Sequence, residues 1–275
     1  MTSTETAGLT ENLSNRYVRQ IGFKPIGPDG QRRLAGASVV LVGCGALGSV
    51  LANHMARAGL GRLRIIDRDV LEVSNLPRQM LYDERDVTRH APKAEAAAAR
   101  LAQINSAIEL DPLVVDLHAG NVLCLLRGFD LLLDGTDNFS TRYLLNEACQ
   151  ELNIPWVYTG VVASYGMSLA IASGKTACLR CVLGPMPSIE AVPTIYTQGI
   201  IGPAVAAIAS ISAASGLRIL VEGDQPVQSP ISPRLVSIDV WDLSFETLDV
   251  GPPRIDCPAC GSPAAHEYLG HGQQS

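Results

Sequence analysis

The sequence predicts an α/β fold: a Rossmann-like sheet, mixed but mainly parallel, flanked by helices and continued toward the C-terminus by an antiparallel extension with a structural zinc site. Three observations predict it. The run Ser38-Val39-Val40-Leu41-Val42 ends directly on Gly43-Cys44-Gly45-Ala46-Leu47-Gly48, a G-x-G-x-x-G pattern at a strand-to-helix junction. From there to about residue 152, short apolar runs alternate with helical stretches, as parallel strands joined by crossover helices do. Beyond Ile154 two apolar runs are joined by a short turn and a last pair reads as a hairpin, and two C-x-x-C pairs frame the last third of the chain.

The 275 residues suffice for one continuous α/β domain over 13–261, with a nucleotide-binding half over about 13–152 and a second part over about 153–261. Residues 1–12 and 262–275 read as flexible tails, since they offer little apolar surface to offset the entropy of ordering. With 47% hydrophobic and 17% charged residues, and Lys+Arg 21 against Asp+Glu 27, the profile is globular and lacks the basic bias of a nucleic-acid binder. No uninterrupted apolar run approaches the ~18 residues of a spanning helix. Met1 to Thr10 has no basic-then-apolar signal pattern, so a cytoplasmic chain without membrane contact is expected.

In chain order, Arg16-Tyr17-Val18-Arg19-Gln20 carries two arginines three apart, which a helix places on one side; alone, that is a solvated helix face. Gly27 to Gly30 reads as a turn and Gln31 to Leu34 as a short helix leading into the first strand. The glycines that follow that strand let the backbone turn tightly and approach a phosphate, and the helix from about Ala46 to Arg57 offers unpaired N–H groups to negative charge. A second strand, Leu63 to Ile66, ends on Asp67, where an acid would take a ribose hydroxyl. Just beyond it, Asn75 and Arg78 add an amide and a guanidinium that suit a triphosphate. After the charged stretch Tyr82 to Arg89, His90-Ala91-Pro92-Lys93 opens an alanine-rich helix to about Ile104, with proline well placed in its first turn. By position alone Lys93 is surface decoration.

Ile108 to Val115 is a third strand in which Pro112 requires an edge or an irregular register. Phe129 to Asp134 is a clearer one, followed by Gly135-Thr136-Asp137-Asn138 and a helix to about Leu152. Ligands gather beyond the carboxyl ends of parallel strands, so Asp134 and Asp137 stand where a magnesium-bound phosphate could be met; capping of the helix by Asp137 or Asn138 explains the same residues. Ile154 to Val161 and Gly166 to Ala172 form two more strands, turning near Ala163 to Tyr165. Pro185 to Pro203 reads as a loop crossing over the site, Gly202 to Val221 as a buried helix, and Gly223 to Pro233 as a polar loop. Leu235 to Asp239 and Leu243 to Asp249 form a terminal hairpin, explained equally by packing and by a partner surface. Cys44, Cys124 and Cys149 read as small buried residues, and His266 and His271 carry no assigned role.

Cys178-Leu179-Arg180-Cys181 and Cys257-Pro258-Ala259-Cys260 make a four-thiolate zinc site chemically natural, each pair bending round one edge of the ion. From Cys181 to Cys257 is 76 positions, far more than an autonomous zinc ribbon spans, so the metal would clip the C-terminal part to the domain. A redox pair and free thiols are the competing readings.

These stretches resemble the adenylating enzymes of the MoeB, ThiF and HesA type, relatives of the ubiquitin-activating enzymes. The family shares the glycine turn, D-x-D at Asp67 and Asp69, S-N-x-x-R-Q at Ser74 to Gln79, R-Y-x-R-Q at Arg16 to Gln20 and D-x-T-D-N at Asp134 to Asn138, and the likeness runs from Arg16 to Gly261. It implies ATP on Gly43, Gly45 and Gly48, with its ribose on Asp67, its phosphates on Asn75, Arg78 and Lys93, and its Mg2+ held by Asp137. It also implies that Arg19 reaches the ATP of the other subunit in a homodimer, and that Zn2+ sits structurally on Cys178, Cys181, Cys257 and Cys260. The implied reaction is attack of the glycine-glycine C-terminal carboxylate of a small ubiquitin-like sulfur carrier on the α-phosphate, giving an acyl-adenylate and pyrophosphate. One departure is plain: many members carry a cysteine in the crossover loop, whereas none lies between Cys181 and Cys257 here, which favours release to a separate sulfur donor. An NAD-dependent Rossmann oxidoreductase, or a relative that adenylates a tRNA base or a peptide, shares much of the pattern. The carrier and its pathway, whether molybdopterin, thiamine, cysteine or secondary-metabolite sulfur, stay unnamed.

Overall fold

The computed structural model describes residues 15–188, 195–223 and 234–270. Its helices are α1 over 15–21, α2 (Gly27–Gly36), α3 (Ala46–Ala58), α4 (Glu84–Thr88), α5 (Lys93–Ile104), α6 (Val122–Leu126), α7 (Phe139–Leu152), α8 (Leu179–Leu183), α9 (Ile195–Gln198) and α10 (Gly202–Glu222). The strands are β1 (Ser38–Val42), β2 (Arg62–Ile66), β3 (Glu109–Leu113), β4 (Leu131–Asp134), β5 (Trp156–Val162), β6 (Tyr165–Ile171), β7 (Arg234–Asp239) and β8 (Ser244–Asp249). They form one sheet in the order β3-β2-β1-β4-β5-β6-β7-β8. β3 through β5 pair in parallel and β5 through β8 antiparallel; short turns join β5 to β6 and β7 to β8, whereas α8, α9 and α10 lie between β6 and β7.

The chain leaves β1 toward β2 and β3, then returns to β1's other side with β4, so the connections diverge at the carboxyl ends of β1 and β4. A switch point of this kind opens a crevice there. Alternation along β1 feeds two cores: Val39 and Leu41 pack with α3, α5 and α10, whereas Val40 and Val42 pack with α6 and α7. Hydroxyls that enter the first core are paired, Thr159 donating to Ser212 and Ser212 to Ser168. Among the described residues α10 alone is long and apolar enough to cross a membrane, and here it lies over β4, β5 and β6.

Pro112 lies on β3, the terminal strand of the sheet, where its missing N–H leaves no internal ladder bond broken. Several expectations need correction. Gly27 to Gly30 is not a separate turn but the first turn of α2, where Pro28 presets the helical φ. The charged stretch after Tyr82 contains α4, started by Asp83, whose carboxylate accepts the N–H groups of Arg85 and Asp86. α6 had no expectation attached. Cys44 and Cys149 are buried, but Cys124 is exposed on α6. Residues 262–270 are docked: the Glu147 carboxylate on α7 accepts the N–H groups of Tyr268 and Leu269 at 2.7 and 3.1 Å, and His266 faces Glu151 at 3.4 Å. The expected N-terminal tail, residues 189–194 of the crossover loop, residues 224–233 and residues 271–275 with His271 lie outside the described residues.

Candidate active site

The glycine turn is held by backbone bonds at the switch point. Gly43 N–H donates to Ile66 of β2, and Gly135 N–H donates to Val42 of β1. Gly43 has φ +82, the left-handed region that glycine tolerates. A Cβ on Gly48 or on Gly135 would overlap the Gly43 carbonyl oxygen, so three glycines from separate elements interlock for packing reasons alone. Gly45 differs. The nearest atom to a Cβ there is Gln79 Nε2 at 3.7 Å, and as N-cap of α3 it leaves the helix's first N–H groups without a side-chain acceptor. That open, uncapped end fits a phosphate.

Asp67 closes one side of this turn. One carboxylate oxygen accepts Cys44 N–H at 2.6 Å and the other Asp69 N–H at 2.8 Å. Burial pushes its pKa up, against those two bonds and the charge of Lys93. Each oxygen retains a lone pair able to accept a ribose hydroxyl. The Tyr82 hydroxyl braces the same region, 2.6 Å from the Cys44 carbonyl and 3.2 Å from that of Lys93.

Lys93 is not surface decoration. It starts α5 with 7% exposure, its ammonium 2.8 Å from Asp69 Oδ2. Asp69 therefore holds the ammonium in place until an anion competes for it. Asn75 is buried in a short 3-10 turn over Val73–Asn75, its side-chain oxygen accepting Glu72 N–H at 3.1 Å. Half-buried Arg78 returns to Ser74's carbonyl at 2.8 Å.

The two acids after β4 have separate fates. Asp134 is fully buried and committed: one oxygen accepts Thr136's N–H and hydroxyl, the other Arg142 Nε at 3.1 Å. Burial raises its pKa even beside Arg142, and at 0% exposure it does not open onto the crevice, which corrects its expected place at the phosphate. Asn138 caps α7, accepting Thr141 N–H at 2.9 Å. Asp137 is exposed at the carboxyl end of β4 and accepts no hydrogen bond among the described residues.

Gly43, Gly45, Gly48, Asp67, Asn75, Arg78, Lys93 and Asp137 thus share one end of the sheet. Arg19 does not join them. α1 packs at the far end of α3, where Gln20 donates to Ala58's carbonyl and Tyr17 lies against Gly59, about 20 Å from the glycine turn along a helix of 13 residues. Sequence reasoning did not single out Gln79, Tyr82, Asp69 as the lysine's partner, or Arg142 as Asp134's. For Asp69 and Gln79 the signal lay inside stretches already noted; for Tyr82 and Arg142 no local pattern marks the fold-back.

The four cysteines converge. Their Sγ atoms all lie within 4.8 Å of one another, with Cys178–Cys181 at 3.8 Å, Cys178–Cys257 at 3.7 Å and Cys181–Cys260 at 3.4 Å. A disulfide would need about 2.05 Å. Four sulfurs each about 2.3 Å from one zinc ion stand about 3.8 Å apart, so the thiols fit a tetrahedral ion. Contact with the Cys260 thiol holds the Cys178 thiol well below its ordinary value.

The chain matches the family model described as the ThiF family over residues 17–259. It is 40% identical over 251 residues to the sulfur carrier protein ThiS adenylyltransferase of Bacillus subtilis, covering 91% of this chain and 72% of that one. The sulfur carrier protein adenylyltransferase of Thermus thermophilus is 37% identical over 267 residues, with 94% and 95% covered. In three dimensions the fold is similar to E. coli MccB, with a TM-score of 0.77 at 23% identity, covering 91% of this chain and 73% of that one.

Proposed function

Because the chain belongs to the ThiF family, we propose that it is an ATP-dependent adenylyltransferase that activates the C-terminal carboxylate of a small ubiquitin-like sulfur carrier. The observation that carries this reading is the meeting, at one switch point, of the open helix end at Gly45, the buried ammonium of Lys93 and the uncommitted carboxylate of Asp137. A nicotinamide dinucleotide, with only a pyrophosphate, has no need of this last pair.

ATP is a substrate here. Its ribose hydroxyls meet Asp67, whose geometry is fixed by two backbone N–H donors. Its phosphates meet the α3 N-terminus, Asn75, Arg78 and Lys93, the lysine exchanging Asp69 for a phosphate oxygen. Asp137 would hold magnesium, which neutralises part of the triphosphate charge when bound. The carrier's glycine-glycine carboxylate is already ionised at neutral pH and needs no general base. Donors that face the α-phosphate stabilise charge as the carboxylate adds and pyrophosphate leaves. Arg19, remote from its own chain's turn, would serve the ATP of a partner subunit in a homodimer. With no cysteine between Cys181 and Cys257, the acyl-adenylate would pass to a separate sulfur donor in the cytoplasm.

The test compares melting temperatures with magnesium-ATP and with NAD. Ligand at a hundredfold excess over its dissociation constant adds about 2.7 kcal/mol, a rise of roughly 5 to 10 degrees for a chain of this size. A rise with ATP alone is expected, followed by pyrophosphate release when the carrier ThiS is added. A rise with NAD alone overturns the reading.

A further inference from the structure

Helix α7 carries three buried polar side chains: Arg142 and Asn146, four positions apart on one side of the helix, and Glu147, turned about 100° from Asn146. Arg142 secures the loop after β4, donating to the carbonyls of Thr136 and Thr159, and Glu147 receives the docked tail. Asn146, with 0% exposure, faces the first cysteine knuckle. Its Oδ1 accepts Leu179 N–H at 2.9 Å, and its Nδ2 lies 3.6 Å from Cys178 Sγ. The two contacts fix the carboxamide's orientation, since only the oxygen can receive Leu179's N–H and the nitrogen is left to face sulfur.

Charge explains why an amide stands there. Zinc with four thiolates is a net dianion, and at this site Cys178 and Cys257 are buried from water. Such a group needs N–H donors aimed at its sulfurs. Among the described residues Arg254 N–H reaches Cys181 at 3.5 Å, and Asn146 is the side chain that reaches Cys178. We propose that Asn146 is a positioning residue of the cysteine site, an outer donor to the Cys178 thiolate that sets metal affinity and pins the first knuckle to α7. This rests on the reading of the four cysteines as a metal site.

The experiment loads the full chain with cobalt(II), whose thiolate charge-transfer bands report on each sulfur's donor strength. Asn146→Asp keeps the size and the acceptor for Leu179 but removes the N–H and sets a carboxylate against sulfur. It should weaken cobalt binding by about 10- to 100-fold in competition with a chelator and shift the charge-transfer band. Asn146→Leu should do the same if it folds. Glu147→Gln, one residue away and turned to the tail, should leave both readouts unchanged. Equal affinity and an unshifted band in Asn146→Asp overturn the proposal, as does an equal loss in Glu147→Gln, which would mean a general loosening of α7. If the unsubstituted chain binds no cobalt as a tetrathiolate, the metal reading itself fails.

Discussion

Asp134, Asp137 and Asn138 stand within five positions in three different settings, buried on Arg142, exposed, and capping α7, and they predict different outcomes. Asp137→Ala should abolish pyrophosphate release with little change in melting temperature; retained activity would sink its assigned role. Asn138→Ala should do the reverse, removing the cap of α7 at a cost of about 1 kcal/mol while catalysis persists. Lys93→Ala should raise the KM for ATP and leave Asp69 with Arg68, 3.8 Å away, as its remaining cation. The glycines, Asp67 and the cysteines were legible in the sequence because residue type and spacing there are the chemistry. The division between Asp137 and Asn138 was not, since both types cap helices. Asp134's commitment was hidden because its partner Arg142 comes back to it from the first turns of the following helix.

Among the elements, the glycine junction and the outermost parallel strand make contrasting predictions. Gly48→Ala drives a methyl group into the Gly43 carbonyl and should cost several kcal/mol of stability. Gly45→Ala meets only Gln79 and should lose less stability, while weakening the rise in melting temperature with ATP. β3 is tied to β2 by Asp111, which accepts from Arg62 and Arg64 at 2.7 Å. Burial pushes the Asp111 carboxyl up, but the two arginines outweigh it and hold its pKa below the ordinary value of 3.8. A depressed carboxylate contributes stability above its unfolded pKa and loses it as pH falls through the folded one. Asp111→Asn should therefore cost about 1–3 kcal/mol at neutral pH, a gap that denaturant titrations should see close as pH drops from 3.8 through the depressed value. Most elements were legible from period and length, including the edge placement that Pro112 demands. α2 was cut short because a glycine at each end of Gly27 to Gly30 looks like a turn until Pro28 is placed at a helix start.

At the scale of the molecule, the switch point and the cysteine cluster both fasten onto α7, about one turn apart, through Arg142 and Asn146. With the four cysteines read as a metal site, a chelator followed by restored magnesium should lower the melting temperature and open residues 257–270 to protease. The rise with ATP should survive, as befits a metal that fastens rather than reacts. The change from parallel to antiparallel pairing after β5 was legible because short turns join β5 to β6 and β7 to β8, although three helices separate β6 from β7. The docked tail was not: Gly261 to Ser275 has few apolar residues, and the carboxylate that receives it, Glu147, lies 121 positions upstream of Tyr268.

The wide spacing of the two knuckles also has a consequence in time. A ribosome adding about 5–20 residues per second takes about 4–15 s to travel from the first pair to the second, because 76 positions separate Cys181 from Cys257. Throughout that interval the nascent chain displays two neighbouring thiols with no mates, a half-site that can hold metal only loosely. A disulfide oxidant that joined Cys178 to Cys181 in those seconds would keep a metal out until a thiol reductant reopened the bond, so with the cysteines read as a metal site the yield of loaded protein should depend on how reducing the surroundings are during synthesis.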